Sequence, residues 1–341
     1  MRTTYTPLVS SSAVPNRGGV AIALGSAGLC VAATILARQN WQQRSRLCMG
    51  AEGEERLGDD LMLGDIRVGA SRVLLASSQT AAYRGLRPIV EGHCVVAPRR
   101  SVGRVSDLSD AEWLDLWRTV RRVQATTESE HGAEASNLLL KDGTARLAGH
   151  AHAHVVPRFH LDFARNDDVF DAMDRWAPSD GAAARLPAYV GLTLPSDEER
   201  EDRTSRTMAD EASSYRALVT SGGGGKGGGG AGAAPIAAHT FSRFPIASEH
   251  CFYESASKLT VAFVNLRPLV AGHVLVTPRR IVPRMCDLTA DEHDDLWSSV
   301  RVVQRALQSK YAPKGFELGV QDGKLAGQSV PHVHVHVLPH A

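Results

Sequence analysis

Between Lys258 and Asn265 the chain is dense in β-branched and aromatic residues, which predicts a strand. Leu266-Arg-Pro-Leu269 ends it, since proline fixes its own φ and restricts the residue before it. Gly272 to Pro278 predicts a second strand. Thr289-x-x-Glu292 then forms a capping box, in which a hydroxyl and a carboxylate satisfy the first free amides of a helix. That helix carries Leu296, Val300, Val303 and Leu307 at helical spacing, so one face turns toward a sheet. Trp297 lies on the same helix and reads as core. A strand near Glu317 to Gln321, a turn at Asp322-Gly323 and a last strand through His332, His334 and His336 complete the unit. Hairpin-linked strands with one long helix predict an α+β fold with an antiparallel sheet.

The same pattern occurs earlier at a constant offset of 180 residues. Leu86-Arg-Pro-Ile-Val-Glu-Gly-His93 answers Leu266-Arg-Pro-Leu-Val-Ala-Gly-His273, and Ala97-Pro-Arg-Arg100 answers Thr277-Pro-Arg-Arg280. Ser109-x-x-Glu112 matches the second capping box, and Trp117 matches Trp297 as a core position. Solenoid repeats run at roughly 20–50 residues, so a period this long is a duplicated domain. Two such domains are expected over 60–185 and 237–341.

The remaining segments have other compositions. Residues 186–236 hold a charged run, Ser196-Asp-Glu-Glu-Arg-Glu-Asp-Arg203, and then Gly222 to Gly230 interrupted only by Lys226. This predicts a charged and Gly-rich linker whose glycine tract is a flexible tether, keeping the copies at high effective concentration. Residues 1–51 contain no Asp or Glu but carry Arg2, Arg17, Arg38, Arg44 and Arg46, as an organelle (mitochondrion or plastid) transit peptide does. Gly18 to Ala37 is uncharged and long enough to cross a bilayer, so a membrane anchor through 18–37 is the alternative. A hydrophobic content of 43% is globular, and a net charge of +1 gives no electrostatic case for a nucleic acid polymer. The five cysteines include no C-x-x-C pair, which fits a reducing compartment.

The candidate chemistry sits at the end of each copy: His150-Ala-His152-Ala-His154 and His332-Val-His334-Val-His336. Strand side chains alternate faces, so each trio projects three imidazoles from one side, roughly 6.5–7 Å apart. Imidazole is both nucleophile and proton carrier near neutral pH. His-x-His on a strand is also a metal pattern, but the motif supplies no carboxylate or Cys to finish a ligand set, so no metal is expected.

Residues 240–340 resemble the fragile histidine triad branch of the histidine triad (HIT) superfamily. The resemblance rests on Val264-Asn265-Leu-Arg-Pro-Leu-Val-Ala-Gly-His273, on Gln321-Asp322-Gly323, and on Ala326-Gly327-Gln328-Ser329-Val330-Pro-His332-Val-His334-Val-His336-Val-Leu-Pro339. It implies a hydrolase that splits dinucleoside polyphosphates, typically diadenosine triphosphate, into AMP and a nucleoside diphosphate. By the same resemblance His334 is the nucleophile, His336 lies beside it and contacts phosphate, and His332 and His273 buttress the imidazoles. Asn265 is implied to bind the nucleotide sugar, while Gln321 and the turn Gly327, Gln328, Ser329 and Val330 hold phosphate. From the residues alone, Asn265 and Gln321 could equally cap a turn or strand end, and His273 could be purely structural. Arg279-Arg280 could guide an anion or be a solvated pair. No protein-bound cofactor is implied; magnesium is plausible as a substrate counter-ion.

The copies differ around the histidines. Gly85 stands in place of Asn265 and Lys141 in place of Gln321, and Leu147-Ala-Gly149 runs directly into His150 without the Gln-Ser-Val-Pro turn. The first triad, His150, His152 and His154, is therefore expected to be degenerate, with another anion held by Lys141 and Arg146 as the alternative. Phe159-His-Leu-Asp162-Phe-Ala-Arg165-Asn166-Asp167 resembles the segment following the triad in this family, whose members are commonly two-fold dimers. The copies are thus expected to form an intramolecular pseudo-dimer, the rival being a homodimer through repeat two. A nucleotide-binding signalling module with slow turnover, or cleavage of phosphoramidates or adenylylsulfate, are the competing functions.

Overall fold

The computed structural model describes residues 60–63, 66–142, 150–176, 199–221 and 236–340. The expected targeting segment 1–51, the glycine tract 222–230, and Arg146 with Leu147 to Gly149 lie outside them. Among the described residues no helix is long and apolar enough to cross a membrane.

The first copy runs β1 (Leu61–Leu63), β2 (Ile66–Val68), β3 (Val73–Ala76), β4 (Thr80–Arg84), β5 (Cys94–Pro98), helix α1 (Asp110–His131), β6 (Ala135–Lys141), β7 (His152–Arg158) and a short helix α2 (Asp168–Arg175). Helix α3 (Ser205–Ser221) follows. The second copy runs β8 (His239–Phe241), β9 (Phe244–Ile246), β10 (Cys251–Glu254), β11 (Thr260–Val264), β12 (Val274–Pro278), α4 (Ala290–Tyr311), β13 (Gly315–Asp322) and β14 (Val335–His340). Both capping boxes form, at Ser109/Glu112 and Thr289/Glu292, and Leu296, Val300, Val303 and Leu307 are buried as their spacing requires. The second histidine strand is shorter than expected. It begins at Val335, so His332 and His334 precede it and only His336 lies within it.

All main strands join one antiparallel sheet of ten, ordered β10-β11-β12-β14-β13-β6-β7-β5-β4-β3. The seam between the copies is β13 against β6, paired from Glu317↔Lys141 to Asp322↔Ser136. The two long helices meet over that seam. Trp117 and Trp297, equivalent positions in the two copies, stack at 3.3 Å and 7° on each other, both fully buried. Arg121 reaches the Leu288 carbonyl at the entry of α4, while its equivalent Arg301 reaches the Leu108 carbonyl at the entry of α1. Such reciprocal contacts are the signature of a two-fold interface. Here they occur within one chain.

Part of the expected linker is ordered differently from the reading above. Met208, Ala212, Tyr215 and Val219 give α3 an apolar stripe that packs on the second copy. Tyr215 packs edge-on to Phe252 at 5.1 Å and shares a 2.7 Å hydrogen bond with the Tyr311 hydroxyl. The charged run and the glycine tract on either side dominated the composition and hid that stripe.

Candidate active site

Gly272 has φ +82, and a Cβ there would meet the Tyr311 ring at 2.7 Å and the Pro339 ring at 2.8 Å. A residue without a side chain is therefore required at this turn, and it delivers His273 to the sheet at a fixed angle. The Leu269 amide donates to His273 Nδ1 at 3.0 Å. That nitrogen is thus an acceptor, so Nε2 carries the proton and donates to His336 Nδ1 at 2.9 Å. His336 consequently presents an N–H at Nε2, a buried donor with no partner among the described residues.

His334 is set the opposite way. Its Nδ1 lies 2.7 Å from the His332 carbonyl oxygen and must donate to it, which leaves the lone pair on Nε2. His332 Nε2 donates to the Pro278 carbonyl at 2.8 Å, and its ring is fully buried against Phe241 and His239. His332 therefore braces the strand and supplies a carbonyl to His334. The backbone polarity of three neighbouring residues fixes one acceptor nitrogen, at His334, beside one donor, at His336, with ring centroids 4.9 Å apart.

Burial keeps these rings neutral. It pushes His273 down to about 3 and His332 down to about 4, and lowers His334 and His336 as well; neighbouring His334 adds to the effect on His332 and His336. The buried His93 and His152 fall to about 3 and about 4 for the same first cause. An unfolded histidine titrates near 6.5, so below that pH the unfolded chain binds more protons than the folded one. Stability is complete above about 6.5 and falls as pH drops toward the folded values, by roughly 1 kcal/mol per group per pH unit. The urea midpoint should thus be flat from pH 8 to 7 and fall clearly between pH 6.5 and 5. A midpoint unchanged down to pH 5 would show that these rings are not buried neutral.

The other expected residues have different duties. Gln321 lies on the strand whose Gly319 pairs with His336, and its amide nitrogen would stand 2.7 Å from a Cβ at Gly327. Asn265 Oδ1 accepts from the Arg267 amide at 3.0 Å, and its Nδ2 lies 3.3 Å from His273 Nε2, so it shapes the turn after β11 as well as facing the histidines. Gly327 has φ +90, the conformation the loop needs. Ser329 is exposed and Val330 packs beside Phe241. Gln328 is tied into its own loop. Its Oε1 accepts from the Gly323 amide at 3.2 Å and its Nε2 donates to the Pro283 carbonyl at 2.9 Å, so the side chain closes its own loop. The Gly327 amide is likewise taken, by the Lys324 carbonyl at 3.0 Å.

Two contributors were not anticipated. Phe241, from the β8–β9 hairpin, meets the His334 ring edge-on at 5.1 Å and forms an apolar wall with Phe263. Arg203, from the charged run, donates to the Asn265 carbonyl at 3.0 Å, and the charge of Arg200 helps to depress His273. Short hydrophobic pairs and arginines within an acidic run carry no distinctive sequence signal.

The first copy repeats the imidazole geometry. Ile89 N–H meets His93 Nδ1 at 3.2 Å, His93 Nε2 meets His154 Nδ1 at 3.0 Å, and His152 Nδ1 meets the His150 carbonyl at 3.0 Å. Its mouth, however, is occupied. The Trp176 ring packs on His93, His152 and His154 at 5.6, 6.1 and 5.0 Å, anchored by Nε1 donating to the Arg87 carbonyl at 2.8 Å. Gly85 lies beside the indole, where a Cβ would make an ordinary contact at 3.5 Å. Lys141, directly opposite His152 in the ladder, is held by Asp174 and lies 3.5 Å from Glu317. This corrects the alternative of an anion site built on Lys141, because two carboxylates already neutralise it.

Fold and site together define a duplicated histidine-triad protein, with one triad beside Phe241 and one beneath Trp176. Residues 67–161 and 247–341 both match the HIT domain family, more than half of the chain, and the chain belongs to that family. It falls in the fragile histidine triad branch. Over 99 residues it is 52% identical to a bis(5'-nucleosyl)-tetraphosphatase (asymmetrical) of Schizosaccharomyces pombe, covering 29% of this chain and 53% of that protein. Over 102 residues it is 48% identical to a bifunctional bis(5'-adenosyl)-triphosphatase/adenylylsulfatase FHIT of Arabidopsis thaliana, covering 30% and 56%. The chain thus spans about half the length of these curated relatives. The solved NitFhit protein of C. elegans aligns at 25% identity with a TM-score of 0.32, over 42% of this chain and 37% of that one.

Proposed function

We propose that the second copy hydrolyses dinucleoside polyphosphates of the diadenosine triphosphate type to AMP and a nucleoside diphosphate through a nucleotidyl-histidine. The observation that carries this is the opposed setting of two adjacent imidazoles, lone pair at His334 Nε2 and N–H at His336 Nε2. The relatives named for triphosphatase and tetraphosphatase activity support the substrate class.

In the first step His334 Nε2 bonds to the α-phosphorus while the bond from phosphorus to the bridging oxygen breaks, and the electron pair leaves with the nucleoside diphosphate. Attack makes the His334 ring cationic. Its Nδ1–H, already held by the His332 carbonyl, stabilises that charge without reorganisation. The His336 N–H donates to a phosphoryl oxygen, where negative charge gathers. Water then attacks the same phosphorus and gives up a proton to solvent, the P–N bond breaks, and His334 recovers its lone pair. Positioning and charge stabilisation are what such transfers chiefly need.

We infer that the first copy is the structural partner of a pseudo-dimer with a single working site. Trp176 over the first triad, and the seam that joins β6 to β13, support this. Residues 1–51 are proposed to direct the chain to an organelle, with magnesium entering as a counter-ion of the substrate. Incubation of the full chain with diadenosine triphosphate should release AMP and ADP in equal amounts. Release of two ADP equivalents per added phosphate, or no AMP at all, would contradict the reading.

A further inference from the structure

One arm of the first copy crosses the seam and ends beside the loop that precedes the second triad. Arg158, 2% exposed, is the last residue of β7. Its guanidinium forks onto the Asp162 carboxylate at 2.7 and 3.0 Å. The same group donates to Asn137 Oδ1 at 2.7 Å and to Asn166 Oδ1 at 2.9 Å. Arginine has no acceptor, so these bonds fix both amides: each asparagine turns its oxygen to Arg158 and its NH2 away. Asn137 Nδ2 donates to the Ala326 carbonyl in the second copy at 3.1 Å. Asn166 Nδ2 lies against Gly327, where any Cβ would collide with it and would come within 2.7 Å of Gln321 Nε2.

The loop that precedes the second triad is therefore flanked by three amide NH2 groups, those of Asn137 and Asn166 from the first copy and that of Gln321 from the second. Asn137 pairs with Gln321 across the seam, on the strand whose Gly319 pairs with His336. The Gly327 amide and one N–H of the Gln328 side chain are committed to the loop itself. Asn166 is an exposed residue, with its Nδ2 turned toward Gly327 and away from Arg158. The equivalent place in the other half has lost this chemistry. There Glu317 and His340 stand where Asn137 and Arg158 do, and Glu317 faces Lys141.

We propose that the working site is composite, with Asn166 of the first copy and Gln321 of the second forming a subsite for the phosphate groups that leave with the nucleoside diphosphate. The proposal rests on the hydrolase reading for the identity of those phosphates. It also gives the copy whose own triad is covered by Trp176 a part in the working site.

Inorganic pyrophosphate is the probe, because its binding can be measured by calorimetry without turnover. Asn166→Asp separates the roles. It keeps and strengthens the acceptor for Arg158 but replaces the N–H donors with a carboxylate. Thermal unfolding of Asn166→Asp should match the wild-type chain, while its pyrophosphate affinity falls by about tenfold or more. Asn166→Ala should weaken pyrophosphate by roughly fivefold. Unchanged pyrophosphate affinity in Asn166→Asp, or a wild-type chain with no measurable affinity for pyrophosphate, overturns the proposal. Should the wild-type chain bind pyrophosphate through Asn166 yet leave diadenosine triphosphate intact, the hydrolase reading fails and the anion subsite stands.

Discussion

A His334→Ala chain is expected to lose about 10⁴-fold or more of its turnover of diadenosine triphosphate, whereas His152→Ala should change it by less than about twofold. The two histidines occupy equivalent places and both donate from Nδ1 to the carbonyl two residues earlier. The backbone geometry that makes a nucleophile is thus present in both copies. What separates them is what packs on them. His334 meets Phe241 edge-on, while His152 meets Trp176 and lies opposite a lysine already paired with acids. Steady-state kinetics of the two variants checks this. A large loss in His152→Ala would show that the first triad reacts despite its cover.

The second large effect is on stability. Arg284→Ala should cost about 3–5 kcal/mol in urea unfolding. Arg284 pairs with Asp322 at 3.0 Å and, across the seam, with Glu128 at 2.8 Å, both carboxylates almost wholly buried. Its removal strands two acids in the interior. Asp322 also accepts the Met285 amide at 2.9 Å and immediately precedes the Gly323 turn of the loop beside His334. Burial already raises Glu128 above the usual carboxylate range, with Arg284 opposing the rise, so the variant should take up a proton there rather than keep both charges. A loss below about 1 kcal/mol would mean that water reaches the pair and screens it.

The duplication, the capping boxes, the core tryptophans and the histidine trios were legible because each is a local pattern repeated at one offset. The seam was not legible at residue level, since nothing local distinguishes a strand that pairs with its own copy from one that pairs with the other. Trp176 escaped notice for a related reason. Its meaning depends on His93, His152 and His154, which lie far from it along the chain and meet it only in the fold. Gln328 was assigned by its neighbours in the motif, but only coordinates show both ends of its amide occupied. Helix α3 lay between two low-complexity segments, and its cap, Thr204 accepting from the Thr207 amide at 3.1 Å, lacks the Glu of a capping box.

The central claim is that His334 takes the nucleotide. Wild-type chain mixed with radiolabelled diadenosine triphosphate and quenched in base within milliseconds should carry AMP on the peptide containing His334, located by mass spectrometry. Label on His152, or hydrolysis at full rate with no adenylyl-enzyme captured at any time point, would contradict the account.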